Sequence, residues 1–273
     1  MLIMKIGVLV DLSENVREAI EKAASLGFES CQLACWKPEL FTDENAEIIN
    51  TAAKEHNVEI STFWCGWSGP AVWDFYDGPV TLGLVPEDYR YARMKELMIG
   101  SDFAKKLNVK NFATHVGFLP ETPGTREYAS LICALRTVAA HCEKNGQYFL
   151  FETGQETPVT LRRTIECIKA DNLGINLDPA NLILYGKGNP IDALDVFGEF
   201  VRDIHGKDGF YPTDGKNLGK EVPIGEGKVN FPAFVARLKE IGYDGPITIE
   251  REIYGDKQTE DILKAKTYLE GLL

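Results

Sequence analysis

The chain has 273 residues, 44% of them hydrophobic, with 29 basic against 41 acidic side chains, a net charge of −12 and an isoelectric point near 4.9. That is enough apolar material for one large α/β unit or two small ones. The acidic balance speaks against nucleic acid, whose recognition needs a basic face, and no stretch approaches the ~20 apolar residues of a membrane-spanning helix.

In chain order, eight short apolar runs read as strands: 5–11, 30–36, 59–66, 111–117, 148–154, 173–179, 201–207 and 246–252. Between them lie amphipathic segments that end at Gly or Asn, residues that accept the left-handed conformation closing a helix. These endings are Gly27, Asn57, Asn108, Gly146, Asn172 and Gly242. Thr157-Pro158 and Asn189-Pro190 place a capping side chain before a first-turn proline, and Asn230 ahead of Phe231-Pro232 reads the same way. Eight strand–helix units in about 250 residues predict a closed (β/α)8 barrel, one domain over 1–273. A doubly wound open sheet is the alternative. It normally carries a glycine-rich loop after its first strand, where this chain has Val10-Asp-Leu-Ser-Glu14.

The N-terminal Met-Leu-Ile-Met-Lys runs directly into the first strand, without the apolar region of a signal peptide. Six cysteines, at 31, 35, 65, 133, 142 and 167, form no CxxC pair and read as buried free thiols of a reducing compartment. The expectation is a cytoplasmic protein with no membrane partner.

Four of the late runs end in a metal-type ligand: Tyr148-Phe-Leu-Phe-Glu152, Leu173-Gly-Ile-Asn-Leu-Asp178, Val201-Arg-Asp-Ile-His205 and Pro246-Ile-Thr-Ile-Glu250. Each residue alone has an ordinary explanation as a strand-end polar group, a turn aspartate or a core histidine. In a parallel barrel, however, all strand ends meet on one face. Two carboxylate Glu, one Asp and one His suit a hard or borderline divalent cation. Two glutamates flanking a sugar carbon could remove a proton from one side and return it to the other, while the cation polarises the carbonyl. That is the requirement of isomerisation or epimerisation beside a ketone through an enediolate.

Two βα connections are longer than needed: 66–89 after the third strand, with Trp67, Trp73, Phe75 and Tyr76, and 208–229 after the seventh. Such loops form substrate walls or lids, or pack on a neighbouring subunit. His115, in Ala-Thr-His115-Val-Gly at the fourth strand end, is a candidate for hydrogen bonding to substrate or for tying down its own loop. Lys207 is expected to face substrate or phosphate, with Asp208 orienting it or His205.

With Phe151-Glu152-Thr, Asn176-Leu-Asp178-Pro-Ala-Asn181, Ile204-His-Gly-Lys-Asp208, Pro223-Ile-Gly-Glu-Gly227, Val229-Asn-Phe231 and Ile249-Glu250, the chain resembles the xylose-isomerase-like TIM-barrel superfamily. The closer likeness is to its sugar isomerase/epimerase branch, which includes ketose 3-epimerases. The resemblance implies a single manganese, magnesium or cobalt ion, with zinc as a further option, held by Glu152, Asp178, His205 and Glu250. It makes Glu152 and Glu250 the acid/base pair and adds Asn181 and Glu156 as substrate contacts to the candidates His115, Lys207 and Trp67 read from the strand ends and the aromatic loop. It also implies a small sugar or sugar phosphate as substrate and a dimeric or tetrameric assembly. Two positions depart from the pattern. Asn181 stands where many relatives have histidine, and Lys207 and Lys216 stand where 3-epimerases often have arginine. The competing reading is a lyase or hydrolase on a keto-sugar derivative at the same site; a non-catalytic sugar-binding protein is the third. Apurinic endonucleases of this superfamily use a multi-zinc cluster needing more histidines than the four here, of which His56 and His141 fall in helices.

Overall fold

The computed structural model describes residues 4–273. Eight parallel strands close into a barrel in sequence order: β1 Ile6–Asp11, β2 Ser30–Cys35, β3 Glu59–Cys65, β4 Asn111–Thr114, β5 Tyr148–Glu152, β6 Leu173–Leu177, β7 Val201–Gly206 and β8 Ile247–Ile249, with β8 pairing back onto β1. The expected barrel and its strand count are therefore what the chain builds. Four of the eight, β4, β5, β6 and β8, stop two or three residues early. At 178 and 250 the chain has left the sheet, and those residues begin the βα loops.

Strand alternation separates two environments. Phe63, Phe112, Phe149 and Phe151 are fully buried in the continuous apolar layer under the helices. The other parity faces the barrel axis, because its side chains bond between strands that are not neighbours: Gln32 of β2 to Asn176 of β6 (3.0 Å), and Thr62 of β3 to Asp203 of β7 (2.7 Å). The barrel interior is thus filled and partly polar. Among the described residues no helix is long and apolar enough to cross a membrane.

Local signals mostly hold. Gly27, Asn57, Asn108, Gly146 and Gly242 take positive φ at helix ends, and Thr157 and Asn189 cap through their side chains. Asn172 does not; Lys169 takes the left-handed position (φ 58°) while Asn172 Nδ2 donates to Ala139 and Gln147 carbonyls. Asn230 is itself left-handed (φ 58°) and makes no side-chain cap. All six cysteines are free, but only four are buried; Cys133 is exposed and Cys167 partly so, because both lie on helix surfaces.

The two long loops meet above the barrel. The Phe75 N–H donates to the Lys216 carbonyl (2.8 Å), beside a bridge between Asp74 and Asn217. Phe75 and Phe118 both pack edge-on against Tyr185, at 6.3 and 5.8 Å between centroids. The strap joins the loop after β3 to the loop after β7. Buried Arg93 anchors its base, donating to the carbonyls of Ser68, Pro70, Thr81 and Gly83. A Cβ on Gly83 (φ 67°) would sit 2.1 Å from the Val116 backbone, so the loop can lie this close only as glycine.

Candidate metal centre and its cavity

Glu152, Asp178, His205 and Glu250 are brought together at the C-terminal end of the barrel, one ligand atom from each lying within 4.8 Å of the others. Their delivery follows from the chain direction. Glu152 ends β5 and His205 lies near the end of β7, on the axis-facing parity of their strands. Asp178 is the residue before Pro179, where its Oδ1 accepts the Asn181 N–H (2.8 Å) and starts a short helix. Glu250 follows β8, held by its N–H donating to the Gly206 carbonyl (3.0 Å).

His205 Nδ1 lies 3.1 Å from Glu250 Oε2, 3.3 Å from Glu152 Oε1 and 3.8 Å from Asp178 Oδ2. His205 Nδ1 and Asp178 Oδ2 are both buried without a hydrogen-bond partner. Native interiors rarely tolerate such orphans. The donor set, three carboxylates and one imidazole, fits a divalent cation of the magnesium, manganese or zinc type. The ring's other nitrogen is occupied from below. Nε2 lies 2.9 Å from Gln32 Oε1 and 3.1 Å from Asn176 Nδ2.

The electrostatics agree. Burial alone would raise the Glu152 carboxyl, but the His115 and His205 charges outweigh it and hold Glu152 well below its usual range. Burial works the same way at Glu250, where Lys207 and His205 overcome it and bring the carboxyl down to about 2. Burial would lower His205, yet Glu250 and Glu152 push its basicity well up. A field that so strongly favours a proton on His205 also favours a metal cation.

The remaining sequence candidates are distributed around this cluster. His115 Nε2 lies 3.3 Å from Glu152 Oε1, and Asn181 Nδ2 donates to the same oxygen at 3.4 Å. Lys207 Nζ sits among Glu252 (3.1 Å), Glu250 (3.2 Å) and Asp178 (3.5 Å). A cavity of about 410 Å³ is lined by Glu152, His205, Glu250, His115, Asn181 and Lys207, with Trp36, Trp64 and Trp73 along one wall. Trp67 is not on that lining; it is buried behind Trp36 and Trp64, with Arg93 against its ring at 5.3 Å. Glu156 also lies off the lining, buried with neither carboxylate oxygen hydrogen-bonded, and burial raises it to about 7. Asp208 orients neither His205 nor Lys207. Its oxygens accept backbone N–H groups of Gly209, Gly225, Gly227 and Val229 and shape the 208–229 loop. Sequence reading missed Trp64, whose indole N–H donates to Glu152 Oε2, and the pair Gln32 and Asn176. The available signal was a lone amide at an axis-facing position in each of two apolar strands. His56 and His141 lie in outer helices, as expected.

The family model for the xylose isomerase-like TIM barrel matches residues 20–271. A xylose isomerase domain protein from Planctomyces limnophilus has a solved structure 36% identical in sequence, with a TM-score of 0.93 over 98% of this chain and 97% of that one. An uncharacterised protein of Methanocaldococcus jannaschii is 26% identical over 99% of this chain and 89% of its own length. A D-psicose 3-epimerase solved in the presence of D-fructose shares the fold at 18% identity, with a TM-score of 0.74 over 99% of both chains. With the matched model spanning nearly the whole chain, this protein belongs to the xylose isomerase-like TIM barrel family.

Proposed function

We propose that the chain, acting as one barrel unit over 1–273, is a divalent-metal-dependent isomerase or epimerase of a ketose or related sugar derivative. The observation that carries this is the buried cluster Glu152–Asp178–His205–Glu250, with oxygens of both glutamates within 3.3 Å of His205 Nδ1. The likeness of fold to a D-psicose 3-epimerase supports it. When bound, manganese, magnesium or cobalt would supply the positive charge that polarises a sugar carbonyl. Glu152 and Glu250 line the cavity as ionised carboxylates and act as the bases that take and return a carbon-bound proton. Trp64, Asn181 and His115 hold Glu152 in place by hydrogen bonds to its two oxygens. His115 and Asn181, both on the cavity lining, orient sugar hydroxyls. Glu156, off the lining, reaches a sugar only through its neighbours, and Trp67 backs the wall. Lys207, ringed by three carboxylates that hold its proton, serves as a fixed positive charge rather than as an acid for a leaving group.

The test is turnover of a ketose panel in D2O with manganese, followed by NMR. Deuterium appearing at the carbon beside the carbonyl supports the proposal. Turnover without deuterium entry and without a primary isotope effect on carbon-deuterated substrate sinks it.

A further inference from the structure

Asp11 closes β1 on the catalytic face and lines the same cavity as Glu152 and Glu250. It shares the axis-facing parity of β1 with Leu9. It is in register with Ala34 of β2, which is in register with Trp64 of β3, and all four side chains line the cavity. Val8 is in register with Ile249. The residues that follow them, Leu9 and Glu250, therefore stand level, and Asp11 lies two residues nearer the mouth, about 7 Å along the strand. An open-chain hexose with its carbonyl end over Glu250 has the length to bring its far hydroxyls to Asp11.

The Asp11 carboxylate has no structural task. Asp74, Asp178, Asp208 and Asp214 each accept N–H groups of the loops they sit in. After β1 that work falls to Ser13, whose hydroxyl accepts the Asn15 N–H (3.2 Å), while the Leu12 N–H donates to the Ala34 carbonyl (2.7 Å). Among the described residues, Asp11 accepts no hydrogen bond and pairs with no lysine, arginine or histidine. The cavity walls, and after them the Glu250 charge, raise its carboxyl. A carboxylate held near another with no protein donor in return costs stability, unless a ligand supplies the donors.

The cations of the cavity are already paired. Among the described residues, the lysine and the arginine on its lining are Lys207 and Arg251. Lys207 lies among Asp178, Glu250 and Glu252. Arg251 lies 2.8 Å from Glu221 and 3.0 Å from Asp261. A phosphate at this level would meet the charge of Asp11 and find no unpaired lysine or arginine, whereas a hydroxyl would find a free acceptor.

Resting on the sugar-isomerisation reading above, we infer that Asp11 is a specificity-determining residue. With the carbonyl end of the ketose over Glu152 and Glu250, the Asp11 carboxylate accepts hydrogen bonds from the hydroxyls at the far end of the sugar and bars a terminal phosphate there.

The experiment measures solvent deuterium exchange into D-fructose, D-psicose, D-tagatose and D-sorbose, and into the 6-phosphates of fructose and tagatose, with the manganese-loaded protein. The best free ketohexose is expected to exceed either phosphate in kcat/KM by about tenfold or more. Asp11→Ala should raise KM for that ketohexose by about tenfold with kcat little changed, because the contact is made equally in the ground and transition states. Asp11→Asn keeps one acceptor oxygen and the side-chain shape; it should raise KM less, and it guards against a folding artefact. The 5-deoxy or the 6-deoxy analogue should lose about tenfold with the parent and nothing further with Asp11→Ala, as a hydroxyl and a carboxylate acting as a pair require. The inference is overturned if a phosphate exchanges as well as its free sugar, if KM is unchanged in Asp11→Ala, or if the deoxy and alanine losses simply add. In each of those cases exchange by the parent still supports the isomerase reading. Absence of exchange with every sugar removes both.

Discussion

Gln32 Oε1 lies 2.9 Å from Nε2 of His205, on the opposite end of the imidazole from the carboxylate cluster. Gln32 Nε2 is itself committed to Asn176 Oδ1 at 3.0 Å and is drawn to Asp203, so its oxygen must face the ring. The shorter Gln32 contact calls for the proton on Nε2, which leaves Nδ1 a lone pair for the cluster, while Asn176 Nδ2 at 3.1 Å from the same nitrogen favours the other tautomer. Groups behind a metal-binding histidine fix its tautomer and orientation. Gln32→Leu is therefore expected to weaken manganese binding by about 10–100-fold, with the far-UV CD spectrum retained. Calorimetric titration that finds affinity unchanged would refute this role.

Glu152→Gln and Glu250→Gln each keep the side-chain shape and one oxygen donor but remove the proton-accepting carboxylate. Each is expected to lose about 10²–10⁴ in the rate of substrate C–H exchange, with a further loss from weaker metal binding. Exchange measured by NMR at saturating manganese isolates the first effect. A variant that exchanges at the parent rate clears that glutamate of the role.

A cation that binds only the folded cluster stabilises the fold by mass action. Manganese at about 100 times its dissociation constant contributes roughly 2.7 kcal/mol. Chelator treatment should lower the thermal midpoint, and readdition should restore it. Asp178→Ala, which removes an orphaned oxygen from the cluster, should abolish the manganese-dependent rise. An equal rise in that variant would place the ion elsewhere.

Burial raises the Glu156 carboxyl from 4.5 to about 7, so the folded chain holds that proton more tightly than the unfolded chain. The sign follows: this group's contribution is most favourable below about pH 4.5 and is lost as pH rises to about 7. Glu156→Gln should remove that slope and gain up to about 3 kcal/mol relative to the parent at pH 8. Urea unfolding of the metal-free protein at pH 5 and pH 8 reads it directly. Parallel pH profiles for the two proteins would show that Glu156 titrates normally.

The strap depends on Asp74, whose Oδ1 accepts the N–H groups of Tyr76 (2.9 Å) and Asp77 (2.7 Å). Asp74→Ala should speed hydrogen exchange at the Phe75 amide, which is bonded to Lys216, by at least about tenfold, because local opening sets that rate. Amides in β5 and β6 should stay protected. Uniform loss of protection would mean that the substitution destabilises the whole barrel instead.

The barrel was legible in the sequence because its code is local. Apolar runs of strand length, punctuated by Gly and Asn at helix ends, specify eight parallel units. Parallel direction then forces Glu152, Asp178, His205 and Glu250 onto one face whatever else the chain does. Local signals failed where a backbone had two ways to meet the same need. Lys169 rather than Asn172 took the left-handed position, and Asn230 took it in place of capping. Only the tertiary structure decided what surrounds the cluster. Gln32 and His205 meet from β2 and β7, Trp64 reaches Glu152 from β3 to β5, and Phe75 pairs with Lys216 across the mouth. These partners are set by barrel closure, which brings distant segments into contact without leaving any periodicity between them. Asp208 shows the same limit in reverse. His205 and Lys207 lie close to it in sequence, yet the loop folds back and delivers the N–H groups of Gly225, Gly227 and Val229 to it first, beside that of Gly209.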